Sequence, residues 1–163
     1  MPNSSKQTAQ GIVALFNASD DTIDMVQTLL TAVGRDQTLI WCHFADLKKG
    51  IVDFGKYMEQ HNPEVVIFDL SPPYDQNWDF FKVMRDHNSM QGRGVVLTTT
   101  NKNRLDEVLG EDSYALEVVG RPRDLQQIQA AIEAETHRAE QIRLGATPPR
   151  PLGQPANQLR QCR

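Results

Sequence analysis

Val65 to Phe68 reads Val-Val-Ile-Phe, an apolar run without polar alternation, and it ends on a single carboxylate, Asp69, before Leu70-Ser71-Pro72-Pro73. Successive strand residues point to opposite sides, so a strand that is apolar at every position has both faces covered. That is the signature of the interior of a parallel sheet with helices on both sides. Asp69 then falls at the C-terminal edge of the strand, where open α/β sheets gather ligands and chemistry. An acid there is a candidate nucleophile or metal ligand. A second reading has Asp69 simply close the strand by accepting hydrogen bonds from the turn around Ser71 and Pro72.

The rest of the chain supplies the partners such a strand needs. Gly11 to Asn17 is a first strand, and Ser19, Asp20 and Asp21 provide capping chemistry for a helix that carries Ile23, Val26, Leu29, Leu30 and Val33 to a stop at Gly34. Thr38 to Phe44 is a second strand, followed from Asp46 by one helix with Leu47, Ile51, Phe54, Tyr57 and Met58 on a shared face, ended by His61-Asn62-Pro63. After the central strand, Trp78, Phe81, Val83 and Met84 mark a helix with a bulky apolar side. Val95 to Thr98 is a short fourth strand, and Leu105, Val108 and Leu109 lie on a modest helix ended by Gly110. Ala115 to Val119 is a fifth strand before Gly120-Arg121-Pro122, and a last helix begins near Asp124. Five strands alternating with five helices predict a doubly wound parallel α/β sheet.

Leu125, Ile128, Ile132, Ala139 and Ile142 keep helical spacing along that last helix, although Glu135 interrupts the seam. Its second half reads as a solvated extension, with a partner helix or homodimer contact as the other option. Residues 11–144 form one domain in this reading, residues 1–10 a flexible N-terminus, and residues 145–163, with Pro148-Pro149-Arg150-Pro151 and Pro155, a disordered tail. No output domain is expected after the domain. A net charge of −4 argues against general affinity for nucleic-acid phosphates. The polar start lacks a signal-peptide core and no apolar stretch is long enough to span a bilayer, so a soluble cytoplasmic protein is expected. Cys42 and Cys162 read as reduced thiols, Cys42 in the core and His43 on the opposite strand face, which leaves no metal clasp between them.

In a doubly wound sheet the ends of the first, third, fourth and fifth strands surround one shallow pocket. Here those ends carry Asn17, Asp69, Thr98 and Arg121. With the apolar run into Asp69, Pro73 four residues on, a hydroxyl at Thr98 or Thr99 after Val95-Val96-Leu97 and a basic residue before Pro122, the chain resembles the receiver domain of bacterial response regulators over Gly11 to Glu135. The resemblance implies a flavodoxin-like three-layer fold with strand order 2-1-3-4-5. It also implies that Asp69 accepts a phosphoryl group from a histidine kinase, that Mg2+ bound by Asp69, the Ser71 backbone and a neighbouring acidic pair balances the charge, and that Thr98 is the switch hydroxyl. No enzyme activity is implied beyond self-phosphorylation and dephosphorylation at Asp69.

Two departures matter. Asn17 and Ala18 stand where the family carries its acidic pair, leaving Asn17 as at most a weak ligand for a hard cation. Asp20 and Asp21 could lean back towards the pocket or cap the first helix. Arg121 stands in place of the family's lysine, where a guanidinium could grip Asp69 in an ion pair or sit solvated beside Arg123. Val118 takes the place of an aromatic switch residue, with Tyr114 offset from it. Thr98 to Thr100, Trp78 and Phe80-Phe81 are equally good strand and packing residues. The reading is therefore an atypical, stand-alone receiver in two-component phosphorelay signalling, acting through protein contacts with a histidine kinase or another signalling protein. A homodimer through the fourth helix, fifth strand and fifth helix belongs to the same reading, and Asp69 is its vestigial or conditional phosphoacceptor. The rivals are a fully competent receiver, a phosphatase-like enzyme using Asp69, disfavoured because Ser71 stands where a second carboxylate is needed, and a nucleotide-binding module, disfavoured because no glycine-rich loop follows the first strand.

Overall fold

A computed structural model describes residues 11–17, 19–32 and 37–145, apart from the side chain of Asn17. The expected flexible start, the stop at Gly34, the Pro-rich tail and Cys162 lie outside the described residues. Five parallel strands, β1 (Gly11–Asn17), β2 (Gln37–His43), β3 (Val65–Leu70), β4 (Gly94–Thr99) and β5 (Leu116–Glu117), are arranged in the order 2-1-3-4-5. Among the described residues six α-helices connect and follow them: α1 (Asp20–Ala32), α2 (Phe44–Lys48), α3 (Phe54–His61), α4 (Tyr74–Arg85), α5 (Lys102–Leu109) and α6 (Pro122–Arg143).

The all-apolar pattern of β3 has the expected cause. All six of its residues are buried, with Val65 and Ile67 facing one layer and Val66, Phe68 and Leu70 the other. The first layer joins Val13, Leu15 and Val96 to Ile23, Val26 and Leu30 of α1 and to Ile128 and Ile132 of α6. The second packs Phe16, Phe68 and Leu97 against Phe44, Met58, Phe81, Met84 and Leu105 from α2 to α5. Phe68 stacks on Phe16 at 5.5 Å and meets Phe81 edge-on at 5.1 Å, so aromatic contacts join neighbouring strands to α4. Cys42 lies in the core as expected, and burial followed by the nearby Asp46 pushes its thiol up to about 11.

Four expectations are corrected. The single helix after β2 is two helices, because Gly50 takes a left-handed φ of +71° and Asp53 caps a new start by accepting the Lys56 N–H at 2.9 Å. Ile51 lies in that break and is 70% exposed instead of facing the core. Val83 is likewise exposed, on the outer side of α4. The fifth strand is only two residues long, although Val118 still donates its N–H to the Thr99 carbonyl at 2.8 Å.

The fourth correction concerns α6, whose second half is held against the sheet. Ala139 is buried, and Glu135 accepts a hydrogen bond from the Val95 N–H at 3.1 Å. Any Cβ at Gly94 would come within 2.6 Å of Glu135 Cβ and 2.8 Å of its carbonyl oxygen, so only glycine lets the helix approach this closely. Arg143 completes the attachment by donating to Glu64 at 2.8 Å. Glu135, which interrupts the apolar seam in sequence, satisfies a strand N–H that would otherwise lack a partner at the start of β4.

Candidate functional site

The C-terminal edge of the sheet is assembled by register. Phe16 pairs with Phe68 and Asp69 pairs with Thr98, so the end of β1 runs beside Asp69 on one side and Thr98 flanks it on the other. Asp69 continues the alternation of Val65 and Ile67 and therefore belongs to the layer of α1 and α6. It is only 2% exposed. Thr98 donates its hydroxyl to Asp69 Oδ1 at 2.7 Å, and Thr22, in the first turn of α1, donates to Oδ2 at 3.3 Å. Burial raises the Asp69 carboxyl to about 6, and the two hydroxyl donors, which favour the ionised form, keep it from rising further. Thr99 points to the other layer and donates to the Leu70 carbonyl at 2.9 Å.

Arg121 does not join this group. Its Nε lies 3.1 Å from both carboxylate oxygens of Asp124, and its Nη2 donates to Glu117 at 3.3 Å. Asp124 is fully buried at the third position of α6 and also accepts the backbone N–H groups of Val119 and Arg121, each at 3.0 Å. Burial by itself would raise this carboxyl, but the Arg121 and backbone donors hold it down to about 2. Neither of the two options for Arg121, an ion pair with Asp69 or a solvated side chain beside Arg123, is what forms; a local pair does, because Asp124 is three residues away on the same helical turn and already oriented by two N–H donors. Asp20 stands 3.3 Å from His43 at the end of β2, and both Asp20 and Asp21 are exposed.

Three contributors escaped the sequence reading: Thr22, Asn77 and Lys48. Asn77 is buried on α4 and donates its amide to the Ser71 carbonyl at 2.7 Å, while Lys48 from α2 donates to Asn77 Oδ1. Thr22 and Asn77 stand four residues before Val26 and Phe81, on the inward stripes of their helices. A polar residue on such a stripe is the signal that could have singled them out.

No protein-family profile matches the sequence, and no curated protein matches it. Solved structures do resemble it. A transiently phosphorylated "switch" in bacterial signal transduction aligns over 80% of this chain and 98% of its own, with a TM-score of 0.52 and 16% identity. The bacteriophytochrome response regulator RtBRR aligns over 76% of each chain with a TM-score of 0.51 and 20% identity, and the Mn2+-bound form of the response regulator Rcp1 over 86% and 99% with a TM-score of 0.50 and 18% identity. The fold is that of response-regulator receivers.

Within this receiver fold, the magnesium that the resemblance implies meets a poor donor set. Of its implied ligands, Asp69 and the Ser71 carbonyl each keep a further lone pair per oxygen beside the bonds that they accept from Thr22, Thr98 and Asn77, so the deficit lies in the acidic pair. Ala18 offers no side-chain donor, and Asn17 only a neutral amide. Among the described residues no three His, Cys, Asp or Glu side chains converge as a metal site would require. No described helix is long and apolar enough to cross a membrane.

Proposed function

We propose that this protein is an atypical receiver that transmits signals in a two-component pathway through protein contacts, with Asp69 as a vestigial or conditional phosphoacceptor. The carrying observation is the buried Asp69–Thr98 pair across neighbouring strands at the receiver edge, joined at 2.7 Å. The carboxylate is the nucleophile that would accept a phosphoryl group, and the hydroxyl is the group that would respond to it. The near-complete burial of Asp69 and the diversion of Arg121 to Asp124 support the conditional reading, since an incoming phosphodonor needs in-line access and charge compensation.

In the proposed reaction an Asp69 carboxylate oxygen attacks phosphorus, the bond from phosphorus to the donor's leaving atom breaks (the imidazole nitrogen of a kinase phosphohistidine, or the acetate oxygen of acetyl phosphate), and an acyl phosphate forms on Asp69. Thr98 then exchanges its bond to Asp69 Oδ1 for one to a phosphoryl oxygen. The partner is a histidine kinase or another signalling protein, and the contact face is α5, β5 and α6, also the candidate homodimer surface. Val108 (41% exposed) and Val119 (53% exposed) place apolar surface there, which supports a docking role. Incubation with acetyl phosphate, followed by intact-mass measurement, tests the phosphoacceptor. A one-phosphoryl gain that disappears in Asp69→Asn shows a conditional acceptor; no gain with acetyl phosphate or with a co-purified histidine kinase leaves Asp69 vestigial.

A further inference from the structure

We infer that Thr22 is a positioning residue through which the negative charge of Asp69 holds α1, so that losing that charge, as in an acyl phosphate, loosens the first turn of the helix. The carboxylate is gripped from two elements at once. Thr98 donates to Oδ1 at 2.7 Å from β4, and Thr22 donates to Oδ2 at 3.3 Å from a side chain that is 3% exposed. A threonine within a helix has a nearer acceptor, the carbonyl four residues back. Thr28 and Thr31 of the same helix take it, donating to the Asp24 and Gln27 carbonyls at 2.8 and 2.9 Å. Thr22 has no helical carbonyl at that spacing, because α1 begins at Asp20, and its hydroxyl crosses to β3 instead. It shares the inward side of the helix with Val26 and Leu30, where an apolar residue would make no such bond.

Hydrogen bonds to an ionised acceptor are roughly twice as strong as neutral ones, so the grip of Thr22 depends on Asp69 being a carboxylate. In the receiver reading of the pocket, on which this coupling rests, Oδ1 beside Thr98 bonds to phosphorus and the donor's leaving atom departs with the electron pair of its own bond to phosphorus. Thr98 follows the phosphoryl oxygens, and Oδ2 becomes the carbonyl oxygen of the acyl phosphate. Thr22 then faces a neutral acceptor. A second polar tie at the start of α1, Asp20 to His43 at 3.3 Å, joins side chains that are 86% and 37% exposed and does not involve Asp69.

Hydrogen exchange of the full chain at pH 8, where Asp69 is ionised, tests the coupling without phosphoryl transfer. The amides of Asp24, Met25 and Val26, which bond to first-turn carbonyls, are read as a ratio to those of β3 and β4, which follow the global stability of each variant. Asp69→Asn keeps the shape and removes the charge, and it is expected to raise that ratio by roughly threefold to tenfold, the scale of one weakened hydrogen bond. Thr22→Val is expected to raise it by a similar factor and Thr22→Ser to leave it at the wild-type value. Asp69→Asn added to Thr22→Val is expected to raise it no further, because both changes remove the same contact. A threonine that only fills space gives single effects that multiply in the double variant; that result, or an unchanged ratio in Asp69→Asn, overturns the coupling. Thr22→Ala repeats the cycle where Thr22→Val does not fold. Wild-type protein labelled by acetyl phosphate is expected to show the same faster exchange, and labelled protein without it overturns the coupling as well. Failure of acetyl phosphate to label Asp69 counts against the phosphoacceptor reading alone, and the Asp69→Asn cycle still decides the coupling.

Discussion

Asp69 and Asp124 are both buried carboxylates, and their ionisation moves in opposite directions for a reason visible in their partners. Asp124 receives a guanidinium and two backbone N–H groups and is held down to about 2, whereas Asp69 receives two neutral hydroxyls that do not offset its burial and is raised to about 6. A carboxyl with a raised folded pKa contributes its full stability below the unfolded value, near 3.8, and that contribution is lost as pH climbs to about 6. A rise of this size corresponds to up to about 3 kcal/mol, so Asp69→Asn is expected to stabilise the protein by about 1–3 kcal/mol at pH 8 and by little below about pH 4. Urea unfolding at the two pH values checks it; an equal effect at both would show that Asp69 is not titrating in this window. Thr98→Val removes the shorter of the two donors and is expected to raise the Asp69 carboxyl above about 6, read from its carboxyl-carbon NMR titration.

At the scale of elements, α6 is fixed at both ends of its sheet contact. Its entry depends on Asp124, and Asp124→Ala is expected to cost about 1–3 kcal/mol by removing the carboxylate that accepts the Val119 and Arg121 N–H groups and pairs with the Arg121 guanidinium. Because the Asp124 carboxyl is depressed, its contribution is present above about pH 4 and lost as pH falls towards 2. Further along, Gly94→Ala forces a Cβ against Glu135 and is expected to destabilise by about 1–3 kcal/mol, with early loss of amide protection in the second half of α6. If that half were a solvated extension, the substitution would be nearly silent.

For the whole molecule, the parallel sheet separates two kinds of work. Its C-terminal edge carries Asp69, Thr98 and the Ser71 turn. The opposite edge is stitched by Arg93, which donates to the Ser89 and Pro63 carbonyls at 2.7 and 2.6 Å, and by the Glu64–Arg143 pair. The α5–β5–α6 face is left with exposed valines, and Val108→Glu with Val119→Glu is expected to abolish partner or homodimer binding while changing stability by less than about 0.5 kcal/mol. Co-precipitation with a cognate kinase and sedimentation velocity of the free protein measure the two outcomes.

The layer plan was legible in the linear sequence because a doubly apolar strand must be covered on both faces and its last residue must emerge at the sheet edge, whereas the strand order and the place of Thr98 beside Asp69 came from the resemblance to receivers. Gly50 and Asp53 carried the signal for the helix break, but the apolar spacing across it masked them. Thr22, Asn77 and Lys48 were not legible, since a polar residue on a helix acquires a partner only when the helix docks and fixes which neighbours it meets. Arg121 differs from them: its charge and position before Pro122 were evident from the chain, and so was Asp124 three residues on, the local partner that it takes in place of Asp69. Thus the pattern of apolar residues by itself determined a sheet covered on both faces and put Asp69 at its C-terminal edge. Tertiary packing alone decided which side chains surround that carboxylate, because burial and hydrogen-bond geometry exist only once the layers have closed.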